Sequence, residues 1–251
     1  MPVDVVKGTY KYCMENKWFF LFVIIIFSIL EFGIDFINSP VYIIAYLITS
    51  VFILGYGIQI IEDIINGGIR LPKIMPKKVV VYGLKGMVIR IFYVAIQLTL
   101  LSVVARNINF PVFELQELIL NYHKTLLLIY NHDVVSFFIF VFSGFIISYV
   151  TSFFMELSLA RLADGGQLRK SFNFPRIKHA IDVIGWRNYT IGYTKIILVM
   201  LFFYEVNIFF DPYLVLNIIM GTLSIFMAFI VEYRGMGVVY KLYTDTKKKS
   251  S

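Results

Sequence analysis

Ionisable side chains inside apolar stretches are the first places in this chain where chemistry is expected. Glu31 and Asp35 are four residues apart, so they share one face of a helix, and Arg90 lies in a separate apolar stretch. A charge held in a bilayer is costly, which makes such residues functional candidates by default. An ion or small-solute path lined by Glu31, Asp35 and Arg90 is one reading. Depth favours another. Asp35 and Glu205 sit toward one end of their stretches, and Lys85, Arg90 and Lys195 toward the other, where long side chains reach water. On that reading the charges are packing partners or interface anchors.

A second grouping, Glu114, Glu117, His123, His132 and Asp133, occupies one polar segment. Neither histidine stands at the three- or four-residue spacing of a helical ligand pair, so an amphipathic outer helix is expected there rather than a metal site. The run from Ala160 to Gly165 superficially resembles the metal-binding stretch of membrane enzymes that transfer alcohol phosphates. Those need several aspartates at helical spacing, and Asp164 stands alone. The His-Glu-x-x-His, Gly-x-Ser-x-Gly and Gly-x4-Gly-Lys patterns are missing. Cys13 is the single cysteine, which excludes an intrachain disulfide. A lone juxtamembrane thiol can accept a lipid but more often has no special chemistry. No catalytic residue, metal site or cofactor is expected, and the protein is expected not to be an enzyme.

The elements that must position these residues follow from composition. The chain has 251 residues, of which 59% are hydrophobic and 16% charged; soluble chains average about 45–50% and about 25%. So much apolar surface cannot be covered in a water-soluble domain of this length. A bilayer core of roughly 30 Å needs about 20 apolar residues in a helix. Six stretches qualify: Trp18–Ile37, Val41–Ile61, Leu84–Val104, Val134–Glu156, Thr190–Phe210 and Tyr213–Val231. Their length and all-round apolarity indicate helices rather than membrane strands. The first is read as a retained span, because no small-residue cleavage site follows it. All seven prolines fall outside the six stretches, where they mark connections. The expected fold is all-α: one transmembrane domain over 1–237 with six helices in three outer-linked hairpins, an outer loop at 105–133, and a basic tail at 238–251.

Basic residues give the orientation. Eighteen of the 23 lysines and arginines fall in the amino-terminal segment, the second–third and fourth–fifth connections, and the tail. Such residues collect on the cytoplasmic side, so both termini are expected in the cytoplasm and the protein in the plasma membrane. The net charge of +7 then serves orientation and attraction to anionic lipid headgroups. No nucleic-acid module is present, so no nucleic-acid partner is expected. The sequon at Asn188 lies on the expected cytoplasmic side and is discounted as a glycan site.

Short amphipathic segments precede the odd-numbered spans, at about 3–16, 76–83 and 173–189. In the last, Ile177, Ala180, Ile181 and Ile184 form a helical stripe, with Asn173 a cap, Pro175 in the first turn and Trp186 at the end. An in-plane interfacial helix is expected. Val3, Val6, Tyr10 and Cys13 give a weaker stripe. The even spans end near glycine, at Asn66-Gly67-Gly68, Asp164-Gly165-Gly166 and Arg234-Gly235-Met236-Gly237. That recurrence suggests a threefold repeat of segment plus hairpin; routine helix-ending glycine explains it as well. Gly55-x-Gly57, Gly144 and Gly221 suit close helix approach.

Two connections carry a resemblance. Gly67-Gly68-Ile69-Arg70-Leu71-Pro72 with Tyr82-Gly83-Leu84-Lys85, and Leu162 to Phe174 with Gly165, Gly166, Leu168, Phe172 and Phe174, resemble an archaeal multi-pass membrane family known only as domain of unknown function 4013. Lys73, Lys77 and Lys78 stand where acidic or aromatic residues are expected. The resemblance implies no catalytic residues. It implies that Leu71-Pro72 and Phe172-x-Phe174 start segments at the headgroup boundary, with adjacent Arg and Lys meeting phosphates. The expected function is to organise or bind lipids, a membrane-protein partner or a second copy; the alternative is a small-solute or ion transporter using the charges of the first and third spans.

Overall fold

The computed structural model describes residues 7–21, 24–25, 40–108, 134–210 and 220–250. The regular elements among them are all helical: α1 (Lys7–Met14), α2 (Pro40–Ile65), α3 (Pro76–Asn107), α4 (Val134–Gly165), α5 (Leu168–Ser171), α6 (Phe174–Ile184), α7 (Trp186–Phe210) and α8 (Thr222–Ser250). Pro40 and Pro76 open their helices, where a missing N–H costs nothing. Five of these helices, α2, α3, α4, α7 and α8, contain stretches long and apolar enough to cross a membrane. The first expected span, 18–37, lies largely outside the described residues, as do Glu31, Asp35 and the polar residues of 109–133.

The described residues separate into two compact units, one of 1–89 with 156–251 and one of 90–155. In the first, α8 is the core. Phe226, Ile230, Val231, Tyr233, Met236, Val239 and Tyr240 along it are buried, and it touches α1, α2, α6 and α7. Two-thirds of its most apolar window is buried (67%), against 6% for that of α4. Helix α2 runs parallel to it. Gly57 abuts the Tyr233 ring, and one helical turn on in α8, Gly237 meets Ile64. On its other side α2 crosses α3 antiparallel, backbone to backbone. A Cβ on Gly55 would strike the carbonyl oxygen of Val79, and one on Gly83 that of Val51. Gly55 and Gly57 are two residues apart, so they face opposite sides of one helix and serve different neighbours.

Three sequence expectations change here. The glycines at 235 and 237 do not end a helix. They lie inside α8, and Gly237 is small because α2 passes close by. The expected basic tail from 238 continues the same helix, with Val239, Tyr240 and Thr244 buried. Segment 76–83 is no separate interfacial piece but the first turns of α3, with Val79 and Tyr82 buried. The repeat signal at the third position thus has a different cause from the first two, where Gly67 and Gly166 do terminate helices with φ of 90° and 63°.

In the second unit, α3 and α4 pair antiparallel. Gln97 Nε2 donates to Ser148 Oγ at 2.8 Å, Gly144 faces Leu101, and Ala105 packs against Phe137 and Phe140. Residue numbers rise along one helix as they fall along the other. The outward side carries large apolar side chains, including Phe138, Phe142 and Phe145 on α4 and Ile91 and Val94 on α3.

The crossing is testable by substitution. Gly55→Val or Gly83→Val is expected to cost about 1–3 kcal/mol, because backbone oxygens cannot yield to the added carbons. Gly144→Ala, whose new carbon would lie 3.6 Å from Leu101, is expected to be neutral or slightly stabilising. Thermal unfolding in detergent measures all three.

Candidate functional site

The end of the first unit that gathers α1, connection 66–75, connection 166–185 and the later half of α8 holds most of its polar contacts. Helix α1 is fixed at two points. Tyr12 donates its hydroxyl proton to Asp63 Oδ2 at 3.2 Å, and Arg234 Nη1 donates to Thr9 Oγ1 at 3.2 Å. The Arg234 guanidinium also lies 5.7 Å from the Tyr12 ring centre, a cation–π distance. Gly8 makes room for that guanidinium. Thr9, Tyr12 and Cys13 are the buried face of α1, whereas Tyr10, expected on that face, is 68% exposed.

The 66–75 connection is tied down to α2. Tyr56 donates to the Pro72 carbonyl at 3.2 Å, and Gln59 Nε2 to that of Lys73 at 2.7 Å. Leu71 is buried beside them. Proline at 72 gives no N–H, so its carbonyl is the group available to the Tyr56 hydroxyl. The Asp63 carboxylate folds over Gly68, where a side chain would collide with it. Lys78 pairs with Glu62 at 2.6 Å and lies over the Tyr82 ring.

The 166–185 connection is held likewise. Lys85 Nζ donates to the Gly166 carbonyl at 2.5 Å, and Tyr240 donates to Asp164 Oδ2 at 3.2 Å. Asn173 caps α6 by accepting from the Arg176 amide at 3.1 Å, with Pro175 in the first turn. Ile177, Ala180, Ile181 and Ile184 are buried as the stripe predicts, but α6 contacts α7 and α8 there. The apolar face is covered by protein, not turned to lipid. An amphipathic stripe reports that a face is buried without saying by what.

Of the residues singled out from the sequence, Gly67, Gly68, Leu71, Pro72, Gly166, Leu168, Phe172 and Phe174 fall in these two tethered connections, and Gly165 ends α4 just before the second. Gly67 and Gly166 need their positive φ; Gly165 has open space around it; Phe174 is 45% exposed. Arg90 sits on α3 and belongs to the second unit. Sequence reasoning missed Tyr12, Tyr56, Gln59, Asp63, Arg234 and Tyr240. For Tyr12, Tyr56, Asp63 and Tyr240 the available signal was tyrosine and carboxylate in or beside apolar helical stretches.

Chemically, the arrangement fastens segments together. Its hydroxyls and amides donate to carboxylates and carbonyls already engaged in turns. Among the described residues no group of three or more His, Cys, Asp or Glu side chains could hold a metal ion. Burial pushes the Cys13 thiol up from 9.0 to about 12, with the Arg234 charge opposing, and drives the Tyr12 hydroxyl upward too, helped by the Asp63 charge. A neutral, enclosed thiol is a poor nucleophile.

Comparison with known proteins comes from one family model, described as protein of unknown function (DUF4013), which matches residues 39–210. No curated protein and no solved structure matches.

Both raised groups are neutral when folded and ionise more readily once unfolded. Their stabilisation is therefore complete below the unfolded thiol value near 9 and is lost as pH climbs toward 12. Thermal stability is expected to be flat from pH 7 to 9 and to fall above it, and Cys13 to resist maleimide at pH 7.5 until the protein is denatured. Rapid labelling of the folded protein would contradict the enclosure of α1.

Proposed function

The chain belongs to the DUF4013 family, and from that premise we propose that it is a non-enzymatic organiser in the plasma membrane. It binds lipids and a partner surface in the bilayer, either another membrane protein or a second copy. The observation that carries this reading is a division of labour between side chains. Polar groups of the first unit are engaged in holding its own connections, while α3, α4 and α7 present nearly continuous apolar faces outward. Such faces in a membrane chain meet lipid or another apolar surface.

The proposed topology has six spans in three outer-linked hairpins with both termini cytoplasmic. In support, the amino-terminal helix, both basic connections and the later half of α8 share contacts at one end of the first unit, and α2 and α8 run parallel into it. A shared end for the basic segments supports placing them on one side of the membrane, the side the charge rule assigns to the cytoplasm.

Two measurements test the proposal. A carboxyl-terminal reporter is expected to be cytoplasmic; an external one overturns the topology. In thermal scans of the purified protein, lipids are expected to raise the midpoint while soluble ions and metabolites do not. A ligand at 100 times its Kd adds about 2.7 kcal/mol, so a solute that stabilises the protein to that degree would replace the organiser by the transporter reading.

A further inference from the structure

Connection 166–185 joins the end of α4 to the start of α7, both of which carry membrane-capable stretches. The exit of one span and the entry of the next share a membrane surface, so this segment stays at that surface throughout. Its apolar stripe is turned inward onto α7 and α8. What remains outside is basic. Arg169, Lys170, Arg176, Lys178 and, as the second residue of α7, Arg187 are all exposed, and among the described residues none is paired with a carboxylate. Asp182, the acid on the same face, is engaged by Trp186, whose Nε1 donates to it at 2.8 Å. Two large apolar groups flank the cations: Phe174 at 45% and Trp186 at 47% exposure.

We propose that the exposed face of α5 and α6, with Phe174 and Trp186 as its apolar flanks, is a binding surface for the headgroups of anionic phospholipids. Resting on the membrane-embedded reading above, it assigns the anionic headgroups to one face and to named side chains. Five exposed cations against the single acid Asp182 complement a phosphate-rich surface. Aromatic rings beside them suit the headgroup level, where one edge is dry and the other wet. Asp182 is outnumbered five to one by the exposed cations, and its hydrogen bond to the indole ties Trp186 to α6. Gly185, with φ of 87°, makes the sharp break that lets Trp186 start a new helix while still reaching back to Asp182.

The chain has two tryptophans, Trp18 and Trp186, so a Trp18→Phe protein reports on Trp186 alone. Reconstituted in vesicles, it is to be titrated with phosphatidylglycerol carrying brominated acyl chains, and in parallel with phosphatidylcholine brominated at the same positions. Preferential quenching of Trp186 by the phosphatidylglycerol is expected, decreasing at high salt because exposed charges are screened. Each basic side chain near an anionic surface is worth about fivefold in partition. Replacing Arg169, Lys170, Arg176 and Lys178 by glutamine is expected to lower the preference about tenfold or more. Should that variant fold poorly, Lys178→Gln with Arg187→Gln carries the same test with a smaller loss. Equal quenching by both lipids, or an unchanged preference in the charge variants, overturns the proposal. Competition by excess inorganic phosphate as strong as that by phosphatidylglycerol overturns it in favour of a soluble phosphate site. Solute-dependent stabilisation in the thermal scans would overturn the organiser reading while leaving this lipid preference intact.

Discussion

Helix α2 is held between α3 and α8 at separations that glycine alone permits. Gly55 admits the backbone of α3, and Gly57 admits the ring of Tyr233 from α8. Between helices in lipid no hydrophobic drive operates, since the surrounding chains are as apolar as leucine; packing and polar contacts must supply the attraction. Close approach is how van der Waals contact becomes large enough. The rest of the first unit depends on it, because the residues that fasten both connections and α1 all project from the helices it aligns. Tyr56 lies between the two glycines, and Gln59, Glu62 and Asp63 follow them in the last turns of α2.

Those polar contacts follow a common pattern. A long donor from a helix reaches a carbonyl or carboxylate in or beside a turn: Tyr56 to Pro72, Gln59 to Lys73, Lys85 to Gly166, Tyr240 to Asp164. Each is worth only about 0.5–1.5 kcal/mol net. Together they confine backbone that would otherwise be free where the chain leaves the membrane. Tyrosine suits the role, since its ring packs among apolar side chains while its hydroxyl reaches a polar edge. The catalogue of contacts is structural, which is why the outward basic face of α6 stands apart: its charges are not consumed in holding the fold.

Much of this was legible in the sequence, and the exceptions share a cause. Span positions follow from apolar length, and proline positions from the missing donor. The buried stripe and cap of α6 were readable down to the residue, because a helix imposes its period on any face that is buried. What covers a face leaves no mark in that period, so the stripe alone points to an interfacial helix although α7 and α8 cover it. Gly235 and Gly237 show the same limit: a glycine that ends a helix and a glycine that admits a neighbour are identical in one sequence. The Tyr12–Asp63 contact joins residues 51 apart, and no local pattern encodes such a pairing.

The central position of α8 bears on how the protein is made. A ribosome releases the chain from its amino terminus, and elements fold as they emerge. Helix α8 is synthesised after α1, α2, α6 and α7, all of which it touches. Until it arrives, Gly57 faces no Tyr233, Asp164 no Tyr240 and Thr9 no Arg234. The earlier helices must wait with these faces unsatisfied, so assembly of the first unit is completed only after the last helix has been made.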